Sequence, residues 1–354
     1  MKTLKQQVNL KIQDLLSQKN THNIKHSVFV IGNTRVEGDK SYYWTPLRKS
    51  EAFISIGIVL FSEKEAKIVL DIIDGLIDYI FVDGEKKSKK TNVSGLFNFE
   101  RLSYEIVKKS HLRFFKGNDI TTRAIDEMIN SFFLNKKRLM GGSNILIIGL
   151  GNLGFKISLK FVERGAHIYI INRTKEKAIK LIEAINIIKP QETISEAKYI
   201  DNNLLDETLL NTLDVVILCY SERFSGLDNL FNSLTSKTTV IDVGKGCLSN
   251  DQLTKLISKK IKCFRLDIGD ALINFIENDV KNHKKPYQIA EKLLKGRRII
   301  TPGNIGLKND VIVDNVDKPS YVYGVCDGHG GFVSKLDKEN IKFIKKLLIN
   351  KSSV

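Results

Sequence analysis

Apolar and polar positions along the chain fall into two rhythms. Short apolar runs rich in β-branched and aromatic residues, over 27–31, 53–60 and 79–82, predict buried strands. Between the last two, Ile68, Leu70, Ile72, Ile73 and Leu76 recur at roughly helical spacing and predict a helix over 64–79. The opening stretch, from Met1 to Asn20, reads as an amphipathic helix. Alternation of this kind predicts a small α/β domain. In Gly117-Asn118-Asp119-Ile120-Thr121-Thr122, the residues Asn118, Asp119 and Thr121 are suitable helix N-caps. Ile125, Met128, Ile129, Phe132 and Phe133 then share one face of a helix that runs to about Leu134, and Gly141-Gly142 breaks it.

From Asn144 the alternation becomes regular. Strands are expected over 144–148, 167–171, 214–219, 239–243 and 263–266, with helices over 153–164, 175–187 and 251–259. A run of this length predicts a doubly wound parallel sheet. The expected fold class is therefore α/β. A smaller N-terminal α/β substrate domain spans 1–118, and a connecting helix spans 119–140. A C-terminal doubly wound domain spans 141–335, and a helix over 338–348, within a tail of 336–354, packs back on the first domain.

One turn carries specific chemistry. The strand Ile145-Leu146-Ile147-Ile148 runs into Gly149-Leu150-Gly151-Asn152-Leu153-Gly154 and then into a helix, with a second strand roughly twenty residues on. That context makes it the fingerprint of a Rossmann dinucleotide site. Gly149 allows the tight turn, Gly151 lets the backbone approach a pyrophosphate, and Gly154 lets helix and strand pack closely. The diphosphate would rest on free N–H groups at the helix N-terminus, near Asn152 and Leu153. The end of the second strand reads Asn172-Arg173-Thr174, with no carboxylate before Glu176. A ribose 2′-hydroxyl usually meets Asp or Glu there, whereas Arg173 offers a fork of donors suited to a 2′-phosphate. Asn172 and Thr174 add polar contacts, and NADP(H) is favoured over NAD(H). Later strand ends place Cys219, Tyr220 and Gly244 on the nicotinamide side. Asp242 is either a site carboxylate or a capping one.

Composition narrows the partners. The chain has 354 residues, 42% of them hydrophobic, and a formal net charge of +16. Its lysines are dispersed, and no arginine-rich stripe with interleaved aromatics is visible, so a nucleic-acid partner is not expected. The one dense run, Lys86, Lys87, Lys89 and Lys90, reads as a solvated loop. A basic surface still attracts an anionic cofactor or substrate. Cys219, Cys247, Cys263 and Cys326 include no C-x-x-C pair, so neither a disulfide framework nor a metal site is expected. The N-terminus lacks the apolar core of a signal peptide, and no apolar run nears the roughly 18 to 20 residues that span a bilayer. A cytoplasmic protein without membrane contact is the expectation, and a homodimer is left open.

The stretch from Gly117 to Lys177 resembles the shikimate dehydrogenase and methylene-tetrahydrofolate dehydrogenase group. That resemblance implies an N-terminal α/β substrate domain and a C-terminal Rossmann domain joined by helices. Asn172-Arg173-Thr174 is similar to the NADP-recognising turn of shikimate dehydrogenases. The segment from Gly117 to Thr122 resembles the one that carries their catalytic aspartate, which points to Asp119. Thr301-Pro302-Gly303-Asn304-Ile305-Gly306 is similar to the Pro-Gly-Gly-Val-Gly turn of the folate enzymes. There are departures. No Ser-x-Ser pair is present, the usual surroundings of the catalytic lysine are missing, and Tyr104 and Lys108 lie late for the folate enzymes' tyrosine–lysine pair. Glutamyl-tRNA reductase, which has a similar nucleotide domain, needs a first-domain cysteine that this chain lacks before Cys219. Neither shikimate nor folate is therefore expected as substrate.

Hydride transfer at an alcohol or amine needs a group that moves a proton. Asp119 is the expected carboxylate, and Lys86 or Lys87, past the strand end at Asp83, the expected lysine. Arg48, beside the only tryptophan, suits a carboxylate substrate. Asn118, Thr121 and His329 complete the substrate candidates. The expected function is an NADP-dependent dehydrogenase or reductase acting on a small, polar, anionic metabolite between the domains. The alternative is an NADP-binding sensor without chemistry.

Overall fold

Strands buried on both faces must be apolar along their whole length, and this is how most parallel strands of the chain read. The computed structural model describes residues 2–33, 42–85, 98–202, 207–220, 226–282 and 290–349. They divide into two units, residues 1–278 and 279–354.

The first unit opens with α1 (Leu4–Thr21), β1 (His26–Asn33), β2 (Tyr42–Trp44), β3 (Arg48–Lys49), β4 (Phe53–Leu60), α2 (Glu63–Ile73), β5 (Tyr79–Asp83), α3 (Phe99–Ile106), β6 (His111–Phe115) and α4 (Gly117–Asn135). β4, β1, β5 and β6 run parallel in that order, while β2 and β3 pair antiparallel with β4. α1 starts at a capping box formed by Thr3 and Gln6 and buries Val8, Ile12 and Leu15 at helical spacing. Each contributes roughly 1.5 to 3 kcal/mol of burial. Their cluster continues through Phe29 of β1, Ile58 of β4 and Leu70 of α2.

Three expectations need correction. The helix expected over 64–79 stops at Ile73, because Gly75 takes a φ of +82° and Asp74 caps the amides of Lys108, Lys109 and Ser110. The connecting helix starts at Gly117, and its N-cap Lys116 makes no side-chain cap bond. Asn118, Asp119 and Thr121 thus lie inside its first turn rather than capping it; the Thr121 hydroxyl donates to the Gly117 carbonyl at 2.8 Å. β6 has no counterpart among the strands expected from the sequence.

The second sheet comprises β7 (Asn144–Ile148), β8 (His167–Ile171), β9 (Ala197–Tyr199), β10 (Val215–Leu218), β11 (Thr239–Asp242) and β12 (Lys262–Arg265). Between its strands lie α5 (Asn152–Glu163), α6 (Lys175–Ile188), α7 (Glu207–Thr212), α8 (Asp228–Ser233) and α9 (Asn250–Ser258). Every neighbour pair is parallel, in the order β12-β11-β10-β7-β8-β9. Numbered from β7, this is the 3-2-1-4-5-6 order of the doubly wound dinucleotide fold. α10 (Gly269–Asn282) returns to the first sheet, where Phe275 meets Phe81 edge-on with ring centroids 6.1 Å apart. α4 is laced to α5 by Arg164–Asp126 at 2.5 Å and Lys156–Asp119 at 2.5 Å.

The second unit carries β13 (Glu291–Leu294), β14 (Arg297–Ile300), β15 (Val311–Val313), β16 (Val322–Val325) and α11 (Lys338–Ile349). β13 and β14 form a hairpin through Lys295 and Gly296, both at positive φ, as a type I′ turn requires. Ile299, Val311, Val325 and Leu347 share its core, and Arg298 pairs with Asp310 at 2.5 Å. The Rossmann domain expected to reach 335 is shorter than that. The parallel sheet ends at Arg265, and residues 291–325 build a separate four-stranded sheet.

Candidate functional site

The glycine turn has a different physical demand at each of its glycines. Gly149 adopts a φ of +99°, and its amide donates to the Ile171 carbonyl at 2.9 Å. A Cβ at Gly154 would lie 2.0 Å from the Gly149 carbonyl oxygen, so helix α5 meets the turn too closely for any side chain. A Cβ at Gly151 would meet nothing within 4 Å. Gly151 is the N-cap of α5 and offers no side-chain cap, which leaves the first amides of a twelve-residue helix facing open space. Backbone donors and the helix dipole there favour a phosphate.

That space is part of a cleft of about 1360 Å³ within the first unit. The cleft runs over the carboxyl ends of both parallel sheets, where ligands of open α/β sheets bind. The second sheet contributes Gly149, Gly151, Asn152 and Leu153 at the turn, and Asn172, Arg173 and Thr174 after β8. Cys219, Tyr220 and Gly244 line it beyond β10 and β11. Gly154 does not line it and acts by packing.

Several side chains are already engaged. Asn172 Oδ1 accepts from the Leu150 amide at 2.9 Å, and its Nδ2 donates to the Thr174 carbonyl at 2.9 Å. Asn172 therefore braces the glycine turn against the turn after β8. Asp242 resolves as a capping carboxylate, accepting from the amides of Lys245 at 2.8 Å and Gly246 at 2.7 Å. Arg173 is exposed on the cleft, and Lys177, one helical turn on, lines it too. Tyr199, Asp201 and Asn202, beyond β9, also line this end, although no sequence motif marks them. Burial, with a smaller push from Asp242, raises the Cys219 thiol to about 12. Burial also pushes Tyr220 and Cys247 upward. This wall stays uncharged near neutrality, and Cys219 is no thiolate nucleophile.

The first sheet supplies the opposite wall. Gly32 and Asn33 end β1, Asp83 ends β5, and Tyr43, Thr45 and Arg48 come from β2, β3 and the turn between them. Asn118 and Thr121 line the cleft from α4, and Arg265 and Asp267 from the end of β12. Asp83 is only 2% exposed, and its Oδ1 accepts from the amides of Glu85 at 3.0 Å and Gly117 at 3.2 Å. A carboxylate so held can exchange a proton with a bound molecule. Glu85 receives the Asn118 amide and side chain, and Asn118 Nδ2 reaches Asn152 Oδ1 at 3.4 Å. A polar chain thus links the first sheet to the helix N-terminus of the glycine turn.

Other sequence candidates stand elsewhere. Asp119 does not line the cleft; its half-exposed carboxylate pairs with Lys156. Lys86 and Lys87 lie outside the described residues. His329 belongs to the second unit, in an exposed turn where Asp327 Oδ1 accepts its amide at 2.7 Å. The turn from Thr301 to Gly306 is also in that unit, and there Asn304 donates to the Ala290 carbonyl at 3.1 Å. No helix among the described residues is long and apolar enough to cross a membrane.

Strand order and glycine turn together define a Rossmann dinucleotide-binding domain followed in sequence by a distinct second unit. Residues 144–246 match the family model described as NADP oxidoreductase, coenzyme F420-dependent. The solved structures similar to the chain include shikimate 5-dehydrogenase from Listeria monocytogenes in complex with shikimate and NAD. It is 15% identical, with 73% of this chain and 92% of that chain covered and a TM-score of 0.38. A shikimate dehydrogenase in complex with NADP+ is 15% identical, covering 74% and 91%, with a TM-score of 0.38. A dipicolinate synthase from Bacillus halodurans is 14% identical, covering 73% and 98%, with a TM-score of 0.37. No curated protein matches the chain.

Proposed function

We propose that the chain is an NADP(H)-dependent dehydrogenase or reductase acting on a small anionic metabolite held in the cleft of the first unit. The observation that carries this reading is the glycine turn, whose uncapped helix N-terminus opens into the same cleft as Asp83, Arg48 and Arg265. The match of residues 144–246 to an NADP oxidoreductase family supports it. When bound, the nicotinamide supplies the hydride chemistry. The chain's own residues do the rest. The amides after Gly151 hold the diphosphate. Asn172 keeps the turn in shape, and Arg173 with Lys177 receives the 2′-phosphate at the ribose end. Arg48 and Arg265 place positive charge for a substrate carboxylate. Asp83, rather than Asp119, stands on the wall as the carboxylate available for proton exchange.

Fluorescence titration with NADPH and NADH tests the reading. NADPH is expected to bind at least about tenfold tighter, a difference of about 1.4 kcal/mol. Arg173→Ala should remove most of that preference and leave NADH affinity nearly unchanged. Equal affinity for the two cofactors in the parent chain would refute the 2′-phosphate assignment. A second reading, a sensor without chemistry, is favoured by one observation: the Asp119–Lys156 pair lies off the cleft wall. Tight NADPH binding without turnover on any carboxylate would select it.

A further inference from the structure

The wall formed by the first sheet holds a buried acceptor that no donor reaches. Asn33, the last residue of β1, is 6% exposed and lines the cleft. Its Nδ2 donates to two carbonyls, that of Asp83 at 3.0 Å and that of Glu85 at 2.7 Å. This pairing fixes the amide's orientation, because the reversed assignment would set oxygen against two oxygens. Oδ1 is the atom left over, and it has no hydrogen-bond partner in the protein. An acceptor stripped of water and left unbonded is destabilising, and a ligand that brings a donor relieves it. Three other buried side-chain atoms among the described residues share this condition. Ser143 and Thr235 do not line the cleft, and Asn202 lies beyond β9 at the nucleotide end.

Two further facts define what would fit. Asp83, whose carbonyl holds Asn33, keeps its carboxylate buried at the same strand-end edge. Arg48 and Arg265 line the same cleft and suit an anionic group.

We propose that Asn33 Oδ1 is a specificity subsite that accepts a hydrogen bond from a hydroxyl or protonated amine on the substrate. The substrate is then a hydroxy- or amino-carboxylate rather than a plain carboxylate. This rests on the reading of the cleft as the site of an NADP(H)-dependent enzyme. The site discriminates because a molecule without the donor would bury Oδ1 permanently unbonded.

The test uses the full chain saturated with NADP+, titrated with straight-chain carboxylates from acetate to hexanoate. Each length is offered as the unsubstituted acid, the ω-hydroxy acid and the ω-amino acid. At one chain length the hydroxy or amino member should bind at least about tenfold tighter than the unsubstituted acid. Which of the two binds tighter distinguishes a neutral from a cationic donor. Asn33→Ala should bring that ratio close to one while NADP+ still binds, which reports that the variant is folded. In the parent chain, the Asn33 side-chain amide resonance should shift with the donor-bearing member and not with its unsubstituted partner, a readout that needs no variant. NADP+ binding without donor preference at any length, a preference that survives Asn33→Ala, or an unmoved Asn33 resonance would each overturn the subsite alone. Failure of the parent chain to bind NADP+ would instead overturn the underlying reading and the subsite with it.

Discussion

Gly151→Leu is expected to fold as the parent does and to lose at least about a hundredfold in NADPH affinity, or about 2.7 kcal/mol. The two halves of this expectation come from the same observation. Gly151 has φ −87° and ψ −161°, an extended conformation open to any residue. A Cβ there would meet no protein atom within 4 Å. Folding therefore gives no reason for glycine at this position, and the thermal midpoint should stay within about 2 °C. A leucine side chain would instead fill the space in front of the uncapped α5 amides, where the diphosphate rests. A titration of both proteins reads the affinity, and a thermal melt reads the fold. Unchanged affinity with an unchanged melt would show that the open space is not where the cofactor binds.

Gly154→Ala should behave in the opposite way, losing stability first. Alanine is the better helix former by about 1 kcal/mol, which alone would stabilise α5. The new methyl, however, would stand 2.0 Å from the Gly149 carbonyl oxygen and 3.1 Å from its carbon, both backbone atoms that no rotamer change can move. Overpacking of this kind costs about 1 to 3 kcal/mol and occasionally more. At such a separation the clash outweighs the propensity. The melt of the first unit should fall by about 3 to 10 °C. The turn should also loosen its grip on nucleotide, because Gly149 must shift to make room. A stabilised variant would mean that α5 and the turn are not packed as described.

These glycines are visible in the sequence because the chemistry of the turn is local. The strand before it, β7, is a run of isoleucines and leucine buried on both faces, and the helix after it follows at once. β7 and β8 fall on the residues that the apolar pattern marks, since a parallel strand covered on both sides has no polar face to blur its ends. Edge elements are not legible in the same way. β6, His111–Phe115, has no buried residue, and its alternation is too weak to read. The short strands of the second unit mix charged and apolar residues, as in Glu291–Leu294 and Arg297–Ile300, so nothing in the pattern separates them from the Rossmann domain.

The substrate wall is hidden for a different reason. Asn33 and Asp83 lie fifty positions apart and become neighbours only because β1 and β5 pair in parallel. Arg265 reaches the cleft as the last residue of an edge strand in the other sheet. Nothing local to any of them signals this. Conversely, Asp119 carries a local signal, its place at the start of a helix, and the structure turns its carboxylate toward Lys156 on α5.

Hydrogen exchange at the backbone amides, with and without saturating NADPH, bears most directly on the central claim. The amides of Gly151 to Gly154 and those opening α6 beyond Arg173 should become protected on NADPH addition, while the second unit is unchanged. Saturation that leaves the amides of that turn exchanging as before would contradict a diphosphate resting on the start of α5.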